Sequence, residues 1–244
     1  DFGYEIDPVW EAGNKNIPGI YIEFKEPWLN PKGFEQIVYD VLANTQDMNI
    51  IEKPEPEDTP FYINNGTINV GNTNGKVILQ TFSLESLVRV AEVFQGKVPM
   101  CFLLWKGTGA TDLTYDDPLG YASFINLGVK YKAHFIGPCI AGAPNDYPEL
   151  DQPWQDYLIH RAKMKNHPYT FDTYDQMAKY FGQYNFGVEI DGKYKAPYLD
   201  ALFTNHSDMS INYMITHGWR KSPASQTLVD AREVLRKLGY LDNN

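Results

Sequence analysis

The sequence predicts an α/β fold, a parallel (β/α) barrel, and three observations carry that prediction. Six short apolar runs, at residues 20–24, 77–82, 99–104, 134–140, 166–171 and 199–204, read as near-continuous rather than alternating, the pattern of strands covered on both faces. Amphipathic helical stretches separate most of them, at spacings near those of successive βα units. No G-x-G-x-x-G follows the first run, which disfavours an open dinucleotide-binding sheet.

The first run begins as a buried strand should, with Ile20, Tyr21 and Ile22, and then sets Glu23 and Lys25 where apolar residues are expected. Side chains alternate along a strand, so Glu23 and Lys25 point to one face and Ile22 and Phe24 to the other. Residues 33–45 space Phe34, Ile37, Val38, Val41 and Leu42 at helical intervals. An insertion follows over residues 49–76. Its acidic, Pro-rich half reads as an exposed loop, and its Asn/Gly half, with Ile63, Ile68 and Val70, as a small hairpin; it is either a surface excursion or a flap facing a substrate. The next helix repeats Leu84, Leu87, Val88, Ala91 and Phe94 behind Ser83 as N-cap, with Ser86 rather than Glu at the capping-box position. Cys101 and Cys139 lie inside apolar runs and read as buried free thiols. Residues 153–164, 173–181 and 208–218 read as helices, and 225–239 as a last helix stopped by Gly239.

Composition bounds the function. A hydrophobic content of 43% with 14% aromatic residues supplies a core, and a net charge of -10 with no basic cluster excludes a nucleic-acid footprint. The acidic surplus suits cation binding or solubility. No apolar run approaches the roughly 18 residues of a membrane span, so a chain without a transmembrane segment is expected. The 244 residues read as one domain. Eight βα units occupy roughly 250 residues in a compact barrel, whereas six units and an insertion use this chain, so the barrel is expected to lack its first two strands here. Further residues encoded before Asp1 are the corresponding expectation, since parallel sheets rarely leave an edge bare.

In a parallel barrel the ligand side is the C-terminal face of the strands. Glu23 and Lys25 end the first strand, Gln80 the second, His167, Tyr169 and Thr170 lie on the fifth, and Thr204 and Asn205 end the sixth; all are expected at one mouth. Glu23 and Lys25 form either a buried ion pair or a cation-and-anion site, because a buried carboxylate needs Lys or a metal beside it. His160 and His217 fall in helices and read as surface or packing residues. His167 and His206 lie nearer the mouth, for substrate contact or structural hydrogen bonding.

The strings GIYIEFKEPW, VILQTF, FIGP, NHPYT and DALFTN, in this order from about Gly19 to Met214, resemble the latter part of the glycerophosphodiester phosphodiesterase family, especially its extracytoplasmic branch. The resemblance implies a TIM barrel of the phosphodiesterase type that hydrolyses phospholipid-derived glycerophosphodiesters to an alcohol and glycerol 3-phosphate. It also implies a divalent cation, Ca²⁺ or Mg²⁺, and a periplasmic or extracellular location. Glu23 matches the metal-ligand Glu of the family's E-x-K strand, and Lys25 matches its lysine, which would face the phosphate as a catalytic group. Gln80, His167, Tyr169 and Asn205 would then line the substrate. The family's H-R-G, E-x-D and H-D strings, which carry the two acid-base histidines and further ligands, do not occur before Glu23 in that arrangement. Glu5-Ile6-Asp7 is literally E-x-D, but only 15 residues separate Asp7 from Glu23, and the segment reads better as a helix start. Two other readings stay open: a noncatalytic barrel binding a small anion or sugar, and a Schiff-base aldolase using Lys25. The aldolase is weakened because Glu23 beside the amine would hold it protonated.

Overall fold

A computed structural model describes residues 20–44, 63–64, 67–68, 77–96, 98–105, 115–184, 188–190, 194–196, 199–218, 236 and 239–240. The expected helix near Asp7, most of the insertion and most of the helix at 225–239 lie outside the described residues.

The protein is α/β. Five strands form one parallel sheet: β1 (Ile20–Glu23), β4 (Val77–Thr81), β5 (Met100–Leu104), β6 (Phe135–Pro138) and β7 (Lys165–Asn166), adjacent in that order. Five of the six predicted strands are therefore present. The sixth, residues 199–204, forms no regular strand. The amides of Asp200 and Ala201 both donate to the Asn166 carbonyl, Phe203 N donates to Pro168 O, and Phe171 N donates to Phe203 O, so the segment follows β7 without an evenly spaced ladder. Within the insertion, β2 (Ile63–Asn64) and β3 (Thr67–Ile68) pair antiparallel, in keeping with the expected small hairpin. A second short hairpin, β8 (Val188–Ile190) with β9 (Tyr194–Ala196), has no counterpart in the sequence reading.

Helix α1 (Phe34–Asn44) follows β1, and α2 (Leu84–Phe94) follows β4. Ser83 caps α2 by accepting a hydrogen bond from Ser86 N at 3.3 Å. Helix α3 (Pro118–Lys130) was not predicted, because Gly120 and Gly128 blur its apolar stripe. Its start signal is nonetheless plain: Asp117 accepts from Leu119 N and Gly120 N, and Pro118 occupies the first turn. Gly128 permits close packing, since a Cβ there would lie 3.2 Å from Ile136 Cδ1 and 3.3 Å from Met164 Cε. Helix α4 (Pro153–Arg161) precedes β7. Helix α5 (Tyr174–Met177) starts from a capping box of Thr173 and Gln176 and continues as a π-helical turn over Ala178–Gln183. Residues 207–244 make a separate compact unit, in which α6 (Ser207–Thr216) ends with the His217 ring stacked on Tyr213 at 4.0 Å. Gly239 takes φ +76° three residues after Arg236, as a helix stop requires. Among the described residues no helix is long and apolar enough to cross a membrane.

The two sheet faces differ. The helix-covered face is the main core: Phe24, Val77, Leu79, Met100, Phe102, Leu104 and Ile136 pack there against Leu87, Val90, Phe94 and Phe124, with the Phe102 and Phe124 rings stacked at 4.3 Å. The opposite face carries a smaller cluster of Cys101, Leu103 and Phe135, flanked by Tyr21, Ile78, Phe82, Tyr169 and Phe203. Both cysteines are buried and free, as predicted.

Candidate functional site

The candidate site lies on that smaller face, towards the C-terminal ends of the strands. Alternation along β1 sends Ile22 and Phe24 into the main core and leaves Glu23 on the other face. The strand end is held firmly: Phe24 N donates to Gln80 O at 2.8 Å, and Thr81 Oγ1 donates to Phe24 O at 2.8 Å. Arg89 braces the turn that follows, donating to Pro27 O and Pro31 O at 3.1 Å each while its Nε lies 3.0 Å from the buried carboxylate of Glu35.

Glu23 is in register with Gln80 on β4, so the two side chains project from neighbouring strands on one face. Burial raises the Glu23 pKa, and the Lys25 ammonium, 3.6 Å from Oε2, opposes that shift. The expectation of a buried ion pair fails here. The Lys25 side chain is 72% exposed and that of Glu23 21% exposed, because β1 ends at Glu23 and Lys25 emerges from the sheet. Gln80 Oε1 is buried and, among the described residues, accepts no hydrogen bond. An acceptor so placed on the strand next to a carboxylate could serve as a second oxygen for a hard cation, which would take its remaining ligands from water or phosphate. Two oxygens are a partial fit, and among the described residues no cluster of three or more His, Cys, Asp or Glu could hold a metal.

His167 is buried rather than open at the mouth. Its ring stacks on Phe135 at 4.1 Å, and the Tyr21 hydroxyl lies 3.2 Å from Nδ1. Burial lowers its pKa to about 4, so the imidazole is neutral at pH 7. Tyr21 also faces the Cys101 thiol, which burial pushes up to about 12. Tyr169 donates to Leu104 O at 3.0 Å, and its ring meets Phe82 at 5.7 Å and Tyr147 at 6.1 Å. Trp105 joins this wall through Tyr147 at 6.2 Å, and both rings remain partly open. Asn205 is drawn aside: its amide nitrogen and its Nδ2 both donate to Asp172 at 2.9 Å. Thr204 Oγ1 accepts from His206 N at 2.8 Å, and His206 is exposed.

The structure therefore brings Glu23, Lys25 and Gln80 together, sets Tyr169 in an aromatic wall, and turns His167 and Asn205 to structural bonding. Sequence reasoning missed Tyr21, Phe82, Trp105, Tyr147 and Phe203. Trp105 directly follows an apolar strand run, which was a readable signal, whereas Tyr147 reaches the wall through a loop whose path no local pattern encodes. That loop is tied down by Asn145 Nδ2 donating to Thr170 O, Gln176 Nε2 to Gly142 O, and Lys179 and Tyr180 to Glu149. No protein-family model and no curated protein matches the chain.

Proposed function

We propose that the chain carries the cation-and-phosphate part of a metal-dependent glycerophosphodiester phosphodiesterase on a (β/α) barrel. The observation that supports it most is the pairing of Glu23 with Gln80 near the ends of neighbouring parallel strands, which sets both side chains on one face, with the Lys25 ammonium 3.6 Å from the Glu23 carboxylate. The barrel reading draws on the strand order, which advances in one direction without the reversal of a doubly wound sheet. Glu23 and Gln80 would hold a Ca²⁺ or Mg²⁺ ion, which would neutralise phosphate oxygens. Lys25 reaches from the rim to pair with a phosphate, and the aromatic wall of Trp105, Tyr147 and Tyr169 shields the alcohol side from water. Tyr21 and Phe135 hold His167 neutral and fixed, so it positions rather than moves protons. No acid-base pair is assigned, and the 244-residue chain is expected to release glycerol 3-phosphate negligibly, because proton transfer alone contributes factors of about 10² to 10⁴.

The test is thermal unfolding with and without millimolar Ca²⁺ or Mg²⁺, alongside an assay for glycerol 3-phosphate. Wild type should be stabilised by the cation, since binding to the native state alone raises Tm, and Glu23→Gln should abolish the effect. An equal cation response in both proteins would remove Glu23 as a ligand. Robust cation-dependent turnover would mean that His167 or His206 carries protons. The aromatic wall also favours a second reading, a noncatalytic site for a small sugar or anion. It would be supported by ligand-induced fluorescence change at Trp105 with no cation requirement.

A further inference from the structure

Away from the mouth, beneath α4, five ionisable side chains and one amide from four segments meet, all but Lys165 largely buried. They are Asp151 ahead of α4, Asp156 and His160 on α4, Lys165 and Asn166 on β7, and Asp200 in the 199–206 segment. Asp151, Asp156 and Asn166 are fully buried, and His160 is 3% exposed. Asn166 Nδ2 donates to Asp151 Oδ1 at 2.8 Å and to Asp156 Oδ1 at 2.9 Å. Asp200 receives Asn166 N at 2.8 Å on Oδ2 and Lys165 Nζ at 3.2 Å on Oδ1.

The imidazole of His160 stands between two of these carboxylates. Its Nδ1 lies 3.0 Å from Asp156 Oδ1 and its Nε2 2.9 Å from Asp200 Oδ2. A neutral imidazole has one protonated nitrogen and one lone pair, so either tautomer would press a lone pair against a carboxylate oxygen at hydrogen-bond distance. Nε2 is hydrogen-bonded to Asp200, whereas Nδ1 lies at ion-pair distance from Asp156 without hydrogen-bond alignment, and only the doubly protonated, positively charged ring suits both carboxylates. We propose that His160 is a standing imidazolium which clasps residues 199–206 to α4 and β7, and that this charge holds the segment in its register beside the sheet.

The clasp bears on the candidate site without depending on what that site does. Asp200 begins the run of contacts in which Ala201 N donates to Asn166 O and Phe203 N to Pro168 O. Phe203 then meets Tyr21 edge-on at 4.8 Å, and Tyr21 in turn contacts His167. Burial would lower the His160 pKa, but the hydrogen bonds and charges of Asp156 and Asp200 outweigh it and raise the value to about 10. A raised histidine contributes stability in full below about 6.5, and the contribution is lost as pH rises through about 10, so the clasp opens in alkali and not in mild acid. The two carboxylates facing the ring differ: in acid Asp156 takes up a proton before Asp200, which keeps its charge and its hold on the segment. Asp200 is held below the usual carboxylate range because His160 and Lys165 outweigh its burial, whereas burial raises Asp151 and Asp156.

Nitrogen-15 NMR of histidine-labelled full chain tests the charge directly. Both ring nitrogens of His160, assigned by comparison with His160→Gln, should keep protonated shifts from pH 6 to 9 and lose one proton near pH 10. An unprotonated nitrogen at pH 8 would overturn the proposal. Amide exchange tests the clasp: His160→Gln should exchange Ala201 and Phe203 at least tenfold faster than wild type, with α3 amides unchanged. Equal exchange at Ala201 and Phe203 would overturn it. Should His160→Gln not fold, a pH series on wild type, corrected for base catalysis, decides the matter. Loss of protection at Ala201 and Phe203 near pH 10, before α3 opens, supports the clasp, and simultaneous loss everywhere refutes it.

Discussion

The charges around His160 and the charges around Glu23 are built from the same residue types, yet the two regions treat them oppositely. Around His160 each ring nitrogen faces a carboxylate, Asn166 bridges two acids, and His160 is only 3% exposed. At the mouth, Lys25 lies mostly in solvent and Gln80 Oε1 is buried without accepting a hydrogen bond among the described residues. Opposite charges neutralising one another in a buried cluster fix structure, whereas a half-buried carboxylate beside an exposed ammonium and an opening is where a ligand would gain most. That contrast in exposure, rather than the number of charges, favours the mouth as the candidate site.

The contrast breaks first at Asp200. Asp200→Ala removes an acceptor for His160, Lys165 and the Asn166 amide together, leaving a buried cation without one of its two counterions. Losing one partner of a buried pair costs about 3–5 kcal/mol, and urea unfolding should report a loss of that order. A loss below about 1 kcal/mol would mean that the cluster is far more open to water than its burial implies.

Acid sharpens the comparison next, because the buried histidines outside the clasp behave unlike His160. His134, fully buried with Nδ1 accepting from Met100 N at 3.1 Å, is lowered by burial to about 3, and His167 likewise to about 4. Their folded values lie below the unfolded one. The stability they confer is present above about pH 6.5 and falls as pH drops towards 4 and 3, by roughly 1.4 kcal/mol per unit for each. Urea midpoints measured between pH 7 and 4 should decline accordingly. His167→Phe should flatten part of the slope.

A smaller effect probes the packing between the two regions. Gly137 lies on the mouth side of β6, where a Cβ would come within 2.6 Å of Leu103 Cδ2, 2.9 Å of Cys101 Sγ and 3.1 Å of the His167 carbonyl. Leu103 can shift but the His167 backbone cannot do so freely, so Gly137→Ala should destabilise by about 1–3 kcal/mol. Thermal unfolding checks it, and a neutral result would show spare room between β6 and β7.

How much of this was legible follows from the range of the interactions. Helix α2 and its Ser83 cap were read residue for residue because their signals lie within one short stretch, the cap and the 11 helical residues that follow it. Strands β1, β4, β5 and β6 were read from apolar runs, and the alternation that sends Glu23 away from Ile22 and Phe24 holds. Asp156 and His160 stand four apart on α4, but Asp200 is forty residues further on, so His160 read only as a surface or packing residue. Helix α3 was missed because Gly128 serves tight packing against Ile136 and Met164, a tertiary reason that the local apolar pattern does not carry. The buried state of His167 was illegible for a similar reason: Phe135 and Tyr21 come from other strands.

The smallest expected effect on stability falls on the pair that looked most important in the sequence. With Lys25 72% exposed, the Glu23–Lys25 contact at 3.6 Å is a rim pair, and such pairs contribute about 0–1 kcal/mol. Lys25→Met should therefore leave the cation-free Tm almost unchanged, and a double-mutant cycle with Glu23→Gln should give a coupling below about 1 kcal/mol. The same variants should separate under Ca²⁺. Lys25→Met should retain the cation-induced rise in Tm, because it removes no oxygen ligand, while Glu23→Gln should lose it, because a neutral amide lacks the charge that a hard cation selects. A strong coupling with no cation effect in any variant would make the contact architectural. It would also end the case for chemistry at this mouth, since Glu23 would then hold Lys25 and nothing else.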